Sequence, residues 1–385
     1  MSRRKLVYAA VLMLLCTPLA LAAPPHTPGL PRACDVSGNA NPCGDKGDGG
    51  NGGPKEIPDT IVGPGDEETW EGDWTQTGTV VIFGTATVSN GEISQEPTSG
   101  GWVVMPGGSL TITNVRLYES INGSDYGIVA HPESGLTLDL VEVQGGSGVQ
   151  VATSDVSMSG SRLRDIDVAL RLFDVTAVIE GNHFLDNNVA VNQTGGAPTL
   201  MNNVFDGGEF CVRDWRSDPT IVFNVFRGCH VGIYHEESES TLSWNTMSDQ
   251  AYPPGTGIWI INTNSPTIEG NDITNFGTGI RITNARAYIR ENTIHGNVGH
   301  GIAIETNTGP MDIHANTIFG NGGDGIRLVN VLDVPVTNNV VRHNGGDGIA
   351  IYDTPAQHIA GNVVHDNAGT GIALHNAPDA RLEAN

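Results

Sequence analysis

Between residues 182 and 385 the pattern Asn-x-(apolar) returns at nearly one interval. The asparagines are Asn182, Asn203, Asn224, Asn245, Asn271, Asn292, Asn316, Asn339, Asn362 and Asn385, spaced by 21, 21, 21, 26, 21, 24, 23, 23 and 23 residues. Two residues after the first nine stand Phe184, Phe205, Phe226, Met247, Ile273, Ile294, Ile318, Val341 and Val364. In most copies a Gly-Ile pair follows, from Gly232-Ile233 to Gly371-Ile372. Weaker copies extend upstream through Ser161 and around residues 110–150. A period this short marks a solenoid. One unit is too small to bury a face alone, but stacked units bury a continuous one.

Within each copy the apolar period is two, as in "DGIAIYD" (347–353) and "GIRLV" (325–329), which is the alternation of a strand. Short strands broken by Gly and Asn turns, wound with this period, predict an all-β chain: a right-handed parallel β-helix of about twelve coils. The hand follows the general rule for parallel crossovers. Leucine-rich repeats share the period, but their Leu-x-x-Leu-x-Leu pattern is absent. Identical asparagines on successive coils would lie about 4.8 Å apart, the spacing of paired strands. Each amide can then donate to the next carbonyl and satisfy turn backbone. A second, shorter ladder is expected at Asn297, Asn321, Asn344 and Asn367, with adjacent glycines supplying positive φ. Asn339, Asn344, Gly345 and Gly348 therefore read as scaffold.

The N-terminal residues 1–22 read as a signal peptide: Arg3, Arg4 and Lys5, an apolar run, then Ala20-Leu21-Ala22. Export, to the periplasm or outside the cell, follows from that reading. No stretch is long enough to span a bilayer. Residues 23–65 are rich in Gly, Pro and Asp and read as a flexible linker. The helix is then expected over 66–385, with an N-terminal cap at about 66–100. Cysteines at 34, 43, 211 and 229 are even in number, which in an exported chain predicts two disulfides, Cys211–Cys229 and Cys34–Cys43. The oxygen donors Asp45, Asp48 and Asn51 miss the EF-hand spacing, so calcium has no motif behind it and no cofactor or metal is expected. A formal charge of −24 disfavours nucleic acid and anionic membranes.

The repeat also aligns the variable positions. The outward residue after the inward Ile reads Gln150, Arg171, Asn192, Arg213, Tyr234, Trp259, Arg281, Ala303, Arg327, Ala350 and Ala373. Arg171, Arg213, Arg281 and Arg327, with Tyr234 and Trp259 between them, could grip an elongated ligand that carries carboxylates and flat sugar faces. Arg216 is placed beside this row. An acidic cluster is expected to gather Asp214, His235, Glu236 and Glu237 as candidate acid–base groups for a glycosidic bond. A second set, His300, Asp324 and Asp347 with Glu305 nearby, occupies a slot that holds Thr256, Thr278 and Thr370 elsewhere and reads as decoration.

The repeat Asn-x-(Ile/Val)-x-x-Asn-x-x-x-Gly-Ile-x-(Ile/Leu) resembles the right-handed parallel β-helix family over roughly residues 75–385. That family includes polysaccharide lyases, polygalacturonase-type hydrolases, uronate epimerases and periplasmic proteins of copper-enzyme maturation. "GHGIAI" (299–304) is similar to the Gly-His-Gly element of polygalacturonases, but the elements that accompany it there are missing, as is the Asp-Pro-His-Asp of mannuronan epimerases. The resemblance implies a fold more than a reaction. Two functions stay open: an exported protein that binds an acidic polysaccharide, with or without modifying it as a lyase or hydrolase; or a non-catalytic surface or matrix scaffold. The chain ends on ladder residue Asn385, which predicts a partner or further chain over that end.

Overall fold

The computed structural model describes residues 55–96, 99–119, 127–249, 254–263, 265–307, 309 and 311–385. Among them 41 strands and no helix wind into one continuous sheet in which successive turns pair in parallel. The strands lie on three faces. Face 1 carries the Gly-Ile strands, such as Val168–Phe173, Thr278–Thr283 and Ile349–Tyr352. Face 2 follows it, with Val178–Glu180, Tyr288–Arg290 and His358–Ala360. Face 3 carries the strands that start just after a ladder asparagine, such as His183–Leu185, Thr293–His295 and Val363–His365. Thr85–Gln95 and Ser109–Glu119 bend from face 2 into face 3, and Val204–Trp215 and Val225–Glu236 bend from face 3 into face 1.

The described residues make about fourteen turns rather than the expected twelve. No buried ladder asparagine marks the early turns in the sequence. Glu56–Ile57 already pairs with Trp74–Gln76, and Thr60–Val62 with Val80–Ile82. Residues 56–65 therefore belong to the stack and not to a linker, and 66–96 are ordinary turns rather than a separate cap. The expected signal peptide, the rest of the linker, its calcium candidates and Cys34–Cys43 lie outside the described residues. None of the described residues forms a helix long and apolar enough to cross a membrane.

The inward alternation builds one core. Phe184, Phe205 and Phe226 stack at 5.0 and 4.8 Å between ring centroids. Met247, Ile273, Ile294, Ile318 and Val341 continue the column, fully buried. Each such side chain contributes about 1.5–3 kcal/mol through removal from water.

The asparagines explain the corners. The residue before each ladder position turns with positive φ: 55° at Asn202, 57° at Asn338, and glycine at 181, 270 and 361. The corner takes the following backbone N–H out of the strand ladder. In Asn316 that N–H donates to Asn339 Oδ1 at 2.9 Å, and the Asn316 amide nitrogen donates to the same oxygen at 3.0 Å. The ladder runs from Asn182 to Asn385, and below it Ser161 N–H donates to Asn182 Oδ1 at 3.0 Å. The second ladder is present from Asn297 to Asn367. A further isolated member, Asn187, accepts from the Ile166 N–H. Gly296 and Gly320 supply positive φ beside Asn297 and Asn321. Gly348 serves another purpose: a Cβ there would lie 2.5 Å from the Gly371 oxygen. Cys211 and Cys229 form the expected disulfide between adjacent turns, 5.7 Å apart at Cα.

Candidate functional site

The strand registers of face 1 align the outward row residue for residue. Arg171 pairs with Asn192, Asn192 with Arg213, Arg213 with Tyr234, Tyr234 with Trp259, and Trp259 with Arg281. Ala303 and Arg327 follow in the same row. Strands that alternate in and out force this result, because every turn adds its outward residue at the same place.

The middle of the row is an aromatic track. Phe210 and Tyr234 meet edge to face at 5.8 Å, and Tyr234 meets Trp259 at 5.3 Å with planes 85° apart. The Arg213 guanidinium lies 5.9 Å from both the Phe210 and the Tyr234 rings, and Arg281 lies 5.4 Å from Trp259. The Tyr234 hydroxyl donates to Glu236 at 3.0 Å. Burial, then that hydrogen bond, raises the hydroxyl above the ordinary phenol value. The Trp259 Nε1–H is buried and has no acceptor among the described residues. Phe210 was not singled out in the sequence. It precedes the aligned position by three residues, where the strand is still rounding the corner from face 3.

The arginines differ in what they can still bind. Arg171 donates to the Ser147 carbonyl at 2.7 Å, and burial lowers its guanidinium from the usual value. Arg281 reaches Glu305 at 3.4 Å. Arg327 reaches Asp324 at 3.3 Å and lies over the Tyr352 ring at 4.5 Å. Arg216 has left the row: at the corner it pairs with Glu237 and covers the Trp215 ring at 4.5 Å. Arg213 is exposed and makes no ion pair with any described residue. Its charge is the one on this face most available to an incoming anion.

The expected acid–base cluster does not assemble on the surface. Period-two alternation turns Arg213, Tyr234 and Glu236 outward, and it turns Asp214 and His235 into the core, where both are 0% exposed. There His235 Nδ1 meets Asp214 Oδ2. His235 Nε2 meets the Ser238 carbonyl at 2.9 Å and the Ser240 hydroxyl at 3.3 Å. The Ser217 hydroxyl donates to Asp214 Oδ1, and the Ser238 hydroxyl reaches it at 3.4 Å. The connectivity Asp214–His235–Ser240 is that of a nucleophilic triad. However, both ring nitrogens face oxygen acceptors, and the imidazole has no path to solvent. Asp214 and His235 are therefore core polar groups, not candidates for contact with an outside substrate. Glu236 remains on face 1, and Glu237 lies in the corner at φ 52° with its carboxylate on Arg216.

His300, Asp324 and Asp347 form a small ladder at the edge of face 1. Asp324 N–H donates to His300 Nδ1 at 3.0 Å, Asp347 N–H to Asp324 Oδ1 at 2.8 Å, and Thr370 N–H to Asp347 Oδ1 at 2.6 Å. They hold backbone and are not idle decoration. Burial lowers the His300 imidazole below the usual range, against the pull of Asp324. His343, from the same repeat, packs edge to face on His365 at 5.8 Å. No group of three or more His, Cys, Asp or Glu among the described residues could hold a metal.

Comparison with known families matches the right-handed beta helix region over residues 101–252 and 231–385. The chain belongs to this right-handed β-helix family. Comparison with curated proteins gives no match. Among solved structures, a mutant of the periplasmic alginate epimerase AlgG is 14% identical, covering 80% of this chain and 77% of that chain, with a TM-score of 0.43. The A-module of the Azotobacter vinelandii mannuronan C-5 epimerase AlgE6 is 15% identical over 80% and 90%, with a TM-score of 0.31. The catalytic domain of a GH87 α-1,3-glucanase in complex with tetrasaccharides is 10% identical over 83% and 63%, with a TM-score of 0.37. At these identities the likeness is one of fold.

Proposed function

We propose that this β-helix is an exported protein that binds an acidic polysaccharide lengthwise along face 1. The reading rests on the Phe210–Arg213–Tyr234–Trp259 track. Arg213 would meet a carboxylate, and the aromatic rings would stack on sugar faces. The surrounding charge sharpens the argument. Without residues 1–22 the formal charge is −24 − 3, or −27. Such a body repels a polyuronate, so binding needs a local cation, and Arg213 is the open one. With Asp214 and His235 inside the core, Glu236 is left as the acid of the central cluster on this face. Binding without turnover is therefore the better-supported form of the proposal.

Calorimetry tests it with alginate, polygalacturonate and a neutral glucan. The acidic chains should bind more tightly, and their affinity should fall as salt rises. Arg213→Ala and Trp259→Ala should each weaken binding at least tenfold. If neither acidic chain binds, or if binding survives both substitutions, face 1 is only a solvated face and the scaffold reading replaces this one. Release of unsaturated uronates that is lost in Glu236→Gln would instead add a lyase activity.

A further inference from the structure

Two aromatic side chains stand where the backbone disfavours them. Each turn passes from face 2 to face 3 through a residue of positive φ, filled by glycine at 160, 181, 270 and 361, by asparagine at 90, 114, 202 and 338, and by Leu140, Glu291, Ala315 and Ala384. In two consecutive turns the residues are Phe223, at φ 57°, and Trp244, at φ 56°. Bulky side chains are genuine outliers in this region, and such strain gathers at functional positions. The core does not need these rings, because they are 54% and 51% exposed.

The indole orientation is informative. A Cβ at Gly270 would lie 2.7–2.8 Å from the Trp244 ring atoms Cε3, Cδ2 and Cζ3. The ring therefore lies down over Gly270 with its other side toward solvent. Half-exposed rings offer on the order of 100 Å² each. A stable protein interface needs about 800 Å² per partner, so the patch is too small for one. It matches the apolar face of a sugar or two. Its rim is acidic. Glu180 accepts from the Asn202 amide at 3.0 Å on one side, and Glu269, Asp272 and Glu291 stand on the other. The cation there, Arg290, is held by Asp312 at 3.0 Å. This rim would repel a uronate and accept hydrogen bonds from neutral sugar hydroxyls.

We propose that Phe223 and Trp244 form a second carbohydrate platform, at the corner between faces 2 and 3, which takes the C–H faces of a neutral β-linked pyranoside chain. The proposal rests on the reading that the ligands are glycans, but it concerns a different surface and a different sugar chemistry from face 1.

Affinity electrophoresis of the whole chain in gels containing barley β-glucan or hydroxyethyl cellulose tests it. Retardation should be insensitive to salt, and Phe223→Asn with Trp244→Asn should lower the apparent affinity at least fivefold. Asparagine suits this turn position, so the melting temperature of the double variant should stay level or rise. Its alginate binding should be unchanged, and Arg213→Ala should leave β-glucan retardation intact. A wild-type chain that neither glucan retards overturns the platform, as does a double variant retarded like wild type. Loss of binding together with a lowered melting temperature also overturns it, because the rings would then be structural. Failure here with alginate binding intact leaves the face 1 reading standing.

Discussion

Asn339→Ala tests whether the ladder stabilises the coil or merely accompanies it. Asn339 is 0% exposed and takes part in four side-chain hydrogen bonds. Its Oδ1 accepts from the Asn316 N–H and amide, and its Nδ2 donates to the Ile313 carbonyl at 2.9 Å and to Asn362 Oδ1 at 3.0 Å. These losses are unequal. The Asn316 amide keeps the Ile289 and His314 carbonyls, and Asn362 Oδ1 keeps the Asn339 backbone N–H. The Asn316 N–H is left with no other partner in a buried corner. Stranding one such group costs about 1–3 kcal/mol, and weakening the remaining bonds adds about 1 kcal/mol, so the expected loss is about 3 kcal/mol. Asn338→Gly is the control, because Asn338 is exposed and its φ of 57° suits glycine. Its effect should stay within about 0.5 kcal/mol. A solenoid can unfold in pieces, so urea midpoints should be paired with hydrogen exchange at Asn316. Equal midpoints for the two variants, or unchanged protection at Asn316, would refute the argument.

Other outcomes follow from the same geometry. His235→Ala leaves a buried carboxylate without its imidazole and should cost about 4 kcal/mol in urea unfolding, while alginate affinity per folded molecule is unchanged; an affinity loss without a stability loss would return His235 to the binding face. Removing the buried Cys211–Cys229 bond, which closes an 18-residue separation, should lower stability by about 3 kcal/mol. Glu142 titrates below the usual carboxylate range: burial opposes this, but hydrogen bonds from Arg164 and Arg116 outweigh it. Its stabilisation is therefore present above the ordinary glutamate value and disappears as pH falls through the lowered one. Arg116 is half exposed, so Glu142→Gln should flatten that acid limb by under about 1 kcal/mol. Asp347→Ala, which frees the Thr370 N–H, should cost about 1 kcal/mol.

The fold was legible because its cause is periodic. A ladder asparagine has to recur wherever the same corner recurs, and the inward Phe184, Phe205 and Phe226 recur with it. The first turns were not legible for the same reason. Between Glu56 and about residue 110 no buried ladder asparagine marks the corners: Asn90 turns at φ 54° on the surface, and buried Gln76 accepts from Gln95 at 2.8 Å and donates to the carbonyls of Gly78 and Gly101. These are different side chains in the same task, and no fixed spacing announces them.

The site was legible only along the coil axis. Counting from the repeat placed Arg213, Tyr234 and Trp259 in one row, because turns stack in register. It failed across the strand: Asp214 and His235 were read as neighbours of Glu236 on one surface, although adjacent residues of a strand face opposite ways. Applied strictly, the period of two would have sent both into the core. The corner aromatics show a further limit. Phe223 and Trp244 are ordinary residues in the sequence and become informative only once their φ is known. Their neighbours in that column, Asn202 and Gly270, are what the corner itself would select. The same column also carries Leu140, Glu291, Ala315 and Ala384, so positive φ alone does not single the two residues out; what sets Phe223 and Trp244 apart is that they are half-exposed rings in adjacent turns, the arrangement that the proposed glycan platform uses.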